Sequence, residues 1–288
     1  MPDNSPAPLD PALLARWAPR LGCTTATFSS PLRDKLSAMR AAGFTSTEFW
    51  PRDLFEDPRG PDFSRAHLTE SGLSVSCYQA LRDYEGLPDD SREHVLNIAD
   101  MLMTQMHWVG ADVLIMCSNV SPDAVYDRAL VLKQFERMAE QARRRGVKIA
   151  LEPIGWARHI WDYRMAWSLV RELDHDHFGI MLDSLHIFSH NLPLDAIDEM
   201  EPAKILLVEL ADMPGTNLPM MEIGRHYRLF PGEGQGPVVD FLRRLEGIGY
   251  QGVYSVEIMN DHYARCAPAE VAERAMRTAL QALSQVHG

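Results

Sequence analysis

The sequence predicts a single-domain α/β fold, a closed (β/α)8 barrel in which eight parallel strands alternate with helices. Two observations point to it. Short apolar runs alternate with amphipathic segments along all 288 residues. The apolar runs are also continuous, as in strands buried on both faces of a parallel sheet. Eight βα units in about 250 residues are typical of a closed barrel. A doubly wound open sheet is the alternative, but it usually has fewer strands.

The predicted strands are short runs rich in apolar and β-branched residues. In chain order they are LGCTTATF (21–28), TSTEFW (45–50), LSVSCYQA (73–80), DVLIMCS (112–118), VKIALEP (147–153), FGIMLDS (178–184), KILLVELA (204–211) and GVYSVEIM (252–259).

The predicted helices have apolar residues at helical spacing, and several end at a glycine that can close the last turn. They cover residues 31–44, 64–72, 92–110, 124–146, 163–174, 194–200, 237–250 and 268–286. The proline-rich start predicts an N-terminal arm over residues 1–18, followed by a catalytic barrel domain over residues 19–288.

Composition excludes several classes of function. The net charge of −12 argues against a nucleic-acid partner, which requires a basic face. No apolar run approaches the roughly 20 residues that cross a bilayer, and the N-terminus lacks the pattern of a signal peptide. The four cysteines are scattered without a CxxC pair. We therefore expect a reduced, cytoplasmic protein without a zinc–cysteine site.

One acidic residue stands at or near the end of each of the last four predicted strands, in IALEP, IMLDS, LVELA and YSVEI. These residues are Glu152, Asp183, Glu209 and Glu257. Neighbouring strands lie about 4.8 Å apart, so the four side chains can meet at the barrel mouth. Because four close negative charges repel, the pattern predicts a divalent cation, and oxygen ligands favour Mn²⁺ or Mg²⁺, with Co²⁺ and Zn²⁺ as alternatives. Taken singly, each acid could instead pair with a buried arginine or cap a helix.

Other polar residues are predicted to surround these acids. His186, in DSLH after the sixth strand, is a candidate acid–base residue together with Glu152 and Glu257. Candidate substrate-binding residues are Arg82, Arg228, His159, Glu48 and His226. For each of them a structural role, such as holding a loop or capping a helix, is the alternative.

Several of these segments together resemble the xylose-isomerase-like TIM barrels, a superfamily of sugar-phosphate isomerases, epimerases and dehydratases. Within it, the chain is most similar to the bacterial 3-dehydroshikimate dehydratases. The resemblance runs from about residue 21 to beyond residue 261, through the segments AAGFTSTEFW, RDYEG, CSNV, GWARH, LDSLH, ELAD, RHYRLFPGEG and VEIMND.

The resemblance implies a divalent metal held by Glu152, Asp183, Glu209 and Glu257, with His186, Arg228 and Arg82 in contact with the substrate. It implies a small hydroxy-ketone substrate, and for the dehydratase branch the conversion of 3-dehydroshikimate to protocatechuate. This chain departs from the superfamily at Glu209, where the superfamily more often has Gln or His. A fourth carboxylate favours a hard cation over zinc and is unfavourable beside a carboxylated substrate.

The sequence leaves other functions open. An isomerase or epimerase of a keto-sugar or inositol derivative also begins with removal of a proton next to a metal-bound ketone. A DNA-repair endonuclease would need more histidine ligands and a basic groove, which the charge of −12 argues against. A non-catalytic binding protein on the same fold would lack the metal. The fold also suggests a homo-oligomer, either a dimer or a tetramer.

Overall fold

The computed structural model describes residues 9–286, and in them the predicted barrel is confirmed. Eight parallel strands close into one barrel in chain order, and β8 pairs with β1. The strands are β1 (Leu21–Thr24), β2 (Ser46–Phe49), β3 (Ser74–Leu81), β4 (Val113–Cys117), β5 (Lys148–Glu152), β6 (Phe178–Asp183), β7 (Ile205–Leu210) and β8 (Tyr254–Val256).

Helices surround the barrel. They are α1 (Pro11–Trp17), α2 (Leu32–Ala42), α3 (Pro51–Leu54), α4 (Pro61–Ser71), α5 (Asp89–Val109), α6 (Arg128–Arg145), α7 (Tyr163–Leu173), α8 (Ser184–Ser189), α9 (Met220–His226), α10 (Val238–Gly247) and α11 (Pro268–Ser284). Gly43, Gly72, Gly110 and Gly146 follow α2, α4, α5 and α6 with positive φ. A left-handed residue ends a helix at little cost only when it lacks a Cβ, so these glycines define the helix ends as the sequence predicts.

The structure differs from the sequence-based boundaries in a few places. The first strand ends at Thr24, because the Thr24 side chain accepts a hydrogen bond from the amide of Ala26 and begins a 3-10 turn. The predicted helix 194–200 is a 3-10 turn over Asp195–Glu199. The short helices α1, α3, α8 and α9 were not predicted, since each is only four to seven residues long and carries too little periodicity.

The predicted N-terminal arm falls partly within the described residues. Residues 1–8 lie outside them. Residues 11–17 form α1, which begins at the N-cap Asp10 and packs on the barrel through its last residue. Trp17 is 2% exposed and has the guanidinium groups of Arg16 and Arg20 over its ring, at 5.0 and 5.4 Å from the centroid.

Two apolar layers hold the barrel together. The larger lies between the strands and the helices, and the smaller fills the barrel interior with Ile115, Ala150, Met181 and Leu207 among its members. Side chains alternate between the two faces of a strand, so residues two positions further along also point inwards. This alternation sends the polar residues at the strand ends towards the barrel axis.

None of the helices in residues 9–286 combines the length and the apolar character that a bilayer span requires.

Candidate active site

Five acidic side chains lie together inside the barrel, because alternate side chains of each strand point to the barrel axis. Glu152, Asp183 and Glu209 each follow an interior apolar residue by two positions. Asp183 and Glu209 are paired in register across β6 and β7. Glu257 lies one residue beyond β8, and Glu48 lies near the end of β2. All five are at most 5% exposed.

The five acids and His186 form two groups of three, whereas the sequence predicts one group of four acids. Glu152, Asp183 and His186 form one, here called the histidine triad. Glu48, Glu209 and Glu257 form the other, the glutamate triad. Within each triad one potential ligand atom per residue lies within 4.8 Å of the others. The predicted ligands are therefore divided two and two. Each triad adds one residue that the sequence assigned to another role.

Arg228 lies between the two triads. Its Nη1 atom is 2.9 Å from Asp183 Oδ2 and 2.9 Å from Glu257 Oε2, and 4.0 Å from Glu209 Oε2. Its Nε donates to the carbonyl oxygen of Gly224 at 2.8 Å. Burial disfavours the charge of this guanidinium, but the carboxylates around it raise its pKa above the ordinary value. The buried side chain is thus an internal counter-ion of these acids, and the substrate contact predicted for it from the sequence stays a prediction.

Burial and crowding perturb the carboxyl groups in opposite directions. Burial, and then the charges of Glu257 and Glu48, raise the pKa of Glu209 well above its usual range. Burial and Glu257 also raise the pKa of Glu48 to about 7. Burial alone would raise the pKa of Asp183, but Arg228 and His186 hold it below the ordinary value. In the protein alone, the protonated forms of Glu209 and Glu48 in the glutamate triad are therefore favoured, whereas Asp183 in the histidine triad stays ionised.

Amide and thiol groups orient the acids, and none of them is among the site residues predicted from the sequence. Gln79 Nε2 donates to Glu48 Oε2 at 2.6 Å and also lies 3.3 Å from Glu257 Oε1. The thiols of Cys77 and Cys117 lie 3.3 and 3.0 Å from oxygens of Glu48 and Glu152. Burial raises the pKa of both thiols well above the ordinary value, so they remain protonated donors. The period of two along β3 and β4 would have identified these positions.

A pocket of about 440 Å³ opens above this buried cluster. Glu152, Glu257, His186 and Arg228 form its buried side, together with Gln79 and Cys117; Trp50, Arg52, Arg82, Ile154, Trp156, Arg225, Met259, Asn260, Asp261, Ala26 and Ala264 complete its lining. The pocket is thus acidic in its buried part, while three of its lining arginines are exposed to solvent.

Two of those exposed arginines are held by tryptophans. The guanidinium of Arg52 lies 5.1 Å from the ring centroid of Trp50, and that of Arg225 lies 5.6 Å from that of Trp156. Trp156 also meets His186 edge to face at 5.0 Å. Cation–π contact favours these arginine positions at the pocket without using their hydrogen-bond donors. Both arginines were missed as members of the predicted site.

The remaining predicted substrate residues lie in different places. Arg82 lines the pocket, and its side chain makes no hydrogen bond or ion pair within residues 9–286. Glu48 lies in the glutamate triad beneath the pocket lining. His159 and His226 are not part of the lining. His159 Nε2 is 2.8 Å from the carbonyl oxygen of Ala124, which favours a role in holding two loops together. His226 Nδ1 is 3.0 Å from Asp261 Oδ1 on the rim.

The loop that carries Arg228 is organised by Asp212, which is also absent from the site residues predicted from the sequence. Its two carboxylate oxygens accept hydrogen bonds from the amides of Gly232, Gly234 and Gly236, at 3.1, 2.9 and 2.7 Å. A Cβ on Gly234 would lie 2.3 Å from the carbonyl oxygen of Met213. The glycines of FPGEGQG therefore permit close wrapping around a carboxylate, in a loop that has no nucleotide-binding context.

The residues present fit a divalent cation. Carboxylate oxygens from adjacent strand ends are the donors that hard cations prefer, and His186 adds a nitrogen. Both carboxylate oxygens of Glu209 are buried and have no hydrogen-bond partner within the described residues. An unpaired buried carboxylate is costly, so a cation at this position would remove a penalty that the protein part alone leaves.

Comparison with known proteins places this architecture in a family. The xylose isomerase-like TIM barrel profile matches residues 36–283. A 3-dehydroshikimate dehydratase of Pseudomonas putida is 35% identical over 244 residues, which cover 85% of this chain and 38% of that protein. An inosose isomerase of Bacillus subtilis is 26% identical over 156 residues, 54% of each chain.

A solved structure gives the same result. A fusion protein of a xylose isomerase-like TIM barrel with a 4-hydroxyphenylpyruvate dioxygenase superimposes with a TM-score of 0.89 at 32% identity, covering 93% of this chain and 43% of that one. The chain thus spans less than half the length of this protein and of the P. putida relative. The profile match over most of the sequence shows that the chain belongs to the xylose isomerase-like TIM barrel family, whose named relatives here are enzymes.

Proposed function

We propose that this chain is a divalent-metal-dependent lyase that dehydrates 3-dehydroshikimate to protocatechuate. One observation carries the proposal: the pocket combines buried carboxylates on its inner side with exposed arginines on its outer side. The substrate has the complementary polarity, with a ketone and hydroxyl groups on one part of its ring and a carboxylate on another. The 35% identity to a dehydratase over 85% of this chain supports the same activity.

In this proposal Glu152, Asp183, Glu209 and Glu257 hold the cation. When bound, the cation would polarise the ketone and stabilise negative charge on its oxygen. Arg228 keeps the carboxylates oriented through Asp183 and Glu257. Mn²⁺ and Mg²⁺ suit this oxygen-rich set better than Zn²⁺.

The chain's own residues supply the proton transfer and the binding of the anion. His186 Nε2 lies 3.5 Å from Glu152 Oε1 and faces the pocket, so it is placed to remove a proton from the carbon next to the ketone. The hydroxyl of the following carbon then leaves as water, and enolisation of the ketone completes the aromatic ring. Arg82, Arg52 and Arg225 bind the carboxylate away from the acids, which offsets the repulsion that Glu209 introduces.

The test is incubation of the protein with 3-dehydroshikimate and Mn²⁺ while the ultraviolet absorbance of an aromatic product is followed. We expect the absorbance to rise, and to stop rising when a chelator is added. Glu257→Gln should lose the metal-dependent activity and keep its fold. Glu85→Gln is the matched control, because Glu85 is equally buried but lies outside both triads. No product at high enzyme concentration would refute the dehydratase, and full activity in Glu257→Gln would refute the ligand assignment.

An isomerase or epimerase of an inositol-derived or sugar ketone is the second candidate. The similarity to an inosose isomerase over about half of the chain favours it. It would use the same first step, so incubation with inososes and ketoses in deuterated water distinguishes the two. Deuterium entering the carbon next to the ketone without formation of an aromatic product would support the isomerase.

A further inference from the structure

Trp156, in the loop that follows β5, contacts both the acid–base candidate His186 and the helix α9. Its ring meets the His186 imidazole edge to face, with the centroids 5.0 Å apart and the planes at 84°. On another side, the guanidinium of Arg225 lies 5.6 Å from its ring centroid. We propose that Trp156 is a positioning residue, which holds the His186 ring in the orientation for proton transfer and joins it to the anion-binding side of the pocket. The proposal rests on the proposed function, because it takes His186 as the group that removes the proton.

Hydrogen bonds alone do not fix the His186 ring. Its Nε2 atom lies 3.5 Å from Glu152 Oε1 and 3.4 Å from Asp183 Oδ2, which is longer than an ordinary hydrogen bond. Its Nδ1 atom is buried and has no hydrogen-bond partner within residues 9–286. A histidine that acts as a base is usually oriented by a third group that binds its other ring nitrogen. Since the described residues offer no such group, packing against Trp156 takes over the orientation of the ring.

Helix α9 closes another side of the indole. A Cβ on Gly224 would lie 2.7 Å from Cζ3 and 3.1 Å from Cη2 of Trp156, so the helix backbone lies directly against the ring. The same Cβ would lie 3.5 Å from Cδ2 of Leu185, the residue before His186. The carbonyl oxygen of Gly224 is in turn the acceptor for Nε of Arg228. The indole is therefore enclosed between α8 and α9, and it can turn away from the histidine only if α9 is displaced.

This arrangement links substrate binding to proton transfer. Arg225 is one of the arginines that bind the substrate carboxylate in the proposed function, and its guanidinium lies over the ring that contacts His186. The anion-binding group and the imidazole are thus held by one side chain. Proton transfer requires the two heavy atoms to be about 3 Å apart, and a misplacement of about 1 Å can lower the rate on the order of a hundredfold. Loss of Trp156 should therefore slow proton transfer more than it weakens substrate binding.

Steady-state kinetics with Mn²⁺ and 3-dehydroshikimate test this through the separate effects on kcat and KM. We expect Trp156→Leu to lower kcat roughly tenfold to a hundredfold and to change KM by less than about twofold. Trp156→Phe, which keeps an aromatic ring, should recover most of the lost kcat. Trp161→Leu is the matched control and should keep both constants, since Trp161 contacts His190 at 4.4 Å but neither residue lines the pocket. A raised KM with unchanged kcat, or a Phe variant as slow as the Leu variant, would overturn the proposal.

Nuclear magnetic resonance of the full chain with isotope-labelled histidine provides a readout that needs no turnover. Proton–nitrogen spectra in chelator report the surroundings of each imidazole; His186→Gln assigns the His186 signal, and the other histidine signals show that each variant is folded. Because an indole ring shifts the resonances of nearby protons, we expect the His186 ring-proton signals to move and broaden in Trp156→Leu and to remain sharp in Trp156→Phe. Trp161→Leu should leave them unchanged.

The two readouts separate the positioning role from the dehydratase reaction. Unchanged His186 signals in Trp156→Leu would overturn the positioning role even in an active dehydratase. Shifted signals in a protein that forms no aromatic product would refute the dehydratase and leave the positioning of His186 by Trp156 standing.

Discussion

Glu209 illustrates what a single position can indicate. In the sequence it is an acid at the end of an apolar strand, which requires a partner. In the structure it is fully buried and both of its oxygens are unpaired within the described residues. The nearest cationic group, Nη1 of Arg228, is 4.0 Å away and forms closer ion pairs with Asp183 and Glu257. The residue therefore depends on its surroundings for compensation of its charge.

Arg228 should stabilise the metal-free protein. Removing one partner of a buried ion pair leaves an uncompensated charge and costs about 3–5 kcal/mol. We expect Arg228→Met to lower the melting temperature in the presence of a chelator, and Mn²⁺ to restore more stability to this variant than to the wild type. Thermal melts with chelator and with Mn²⁺ measure both effects. Equal melting temperatures for variant and wild type in chelator would show that Arg228 is not the counter-ion.

Glu85 should make stability depend on pH. Burial raises its pKa from 4.5 to about 8. The folded state therefore keeps a proton that the unfolded chain has lost. The stabilisation from this proton is complete below about pH 4.5 and disappears as the pH rises through about 8. Since one pKa unit corresponds to about 1.4 kcal/mol, the loss is on the order of a few kcal/mol.

Glu85→Gln should remove that dependence. Glu85 Oε1 accepts from the amide of Asn119 at 2.6 Å, and a glutamine oxygen can accept the same bond. Urea unfolding between about pH 5 and about pH 9 should give a flatter profile for the variant and a higher stability at the alkaline end. Parallel profiles for the two proteins would mean that Glu85 ionises with an ordinary pKa.

At the scale of elements, the β7–α10 connection positions the site. It contains α9, the loop centred on Asp212 and Arg228 itself. The glycines and the proline of RLFPGEG (228–234) predict a tight loop here. In the structure, the Asp212 carboxylate accepts hydrogen bonds from three glycine amides. The carbonyl oxygen of Gly224 on α9 accepts a hydrogen bond from Nε of Arg228. The Arg228 side chain therefore links this connection to the acidic cluster.

Asp212→Ala should loosen this connection. It removes several hydrogen bonds to a charged acceptor, each worth about 1.5–3 kcal/mol and not additive. We expect faster proteolysis within residues 230–237 and weaker Mn²⁺ binding, because Arg228 loses its support. Limited proteolysis with mass spectrometry locates the cleavage. Asp240→Asn, at an exposed position of α10, is the control and should be cleaved like the wild type. Equal cleavage of Asp212→Ala and the wild type would contradict the assigned role.

At the scale of the whole molecule, barrel closure brings the beginning and the end of the described chain together. β1 pairs with β8, and α1 packs beside α11. Arg20, just before β1, donates to the carbonyl oxygens of Gly252 and Tyr250 at 3.1 and 2.6 Å. Thus α1 and Arg20 stabilise the junction between β1 and β8, and Glu257 directly follows β8.

Trp17 should therefore be important for stability. Truncating a buried tryptophan costs about 3–5 kcal/mol. We expect Trp17→Ala to lose about this much in denaturant unfolding. Trp108→Ala is the matched control, since Trp108 is 42% exposed and exposed substitutions change stability by about 0.5 kcal/mol or less. If both variants have the same free energy of unfolding, α1 does not stabilise the junction between β1 and β8.

The sequence alone determined the barrel and the positions of the acids. Continuous apolar runs and their regular spacing identify the strands, because these patterns follow from burial on both faces of a sheet. An acid at a strand end points into the barrel when it follows an interior apolar residue by two positions, whatever its partners are. Glu152, Asp183, Glu209 and Glu257 were predictable for this reason, and so was the proximity of His186.

Only the tertiary structure decided which of these groups meet. The division into two triads, the entry of Glu48, and the position of Arg228 between Asp183 and Glu257 depend on strand register and on loops that fold back over the barrel. The same holds for Asp212 and its glycine amides, and for Arg225 over the ring of Trp156. Such contacts join residues far apart in the chain, and local patterns do not fix distances between them.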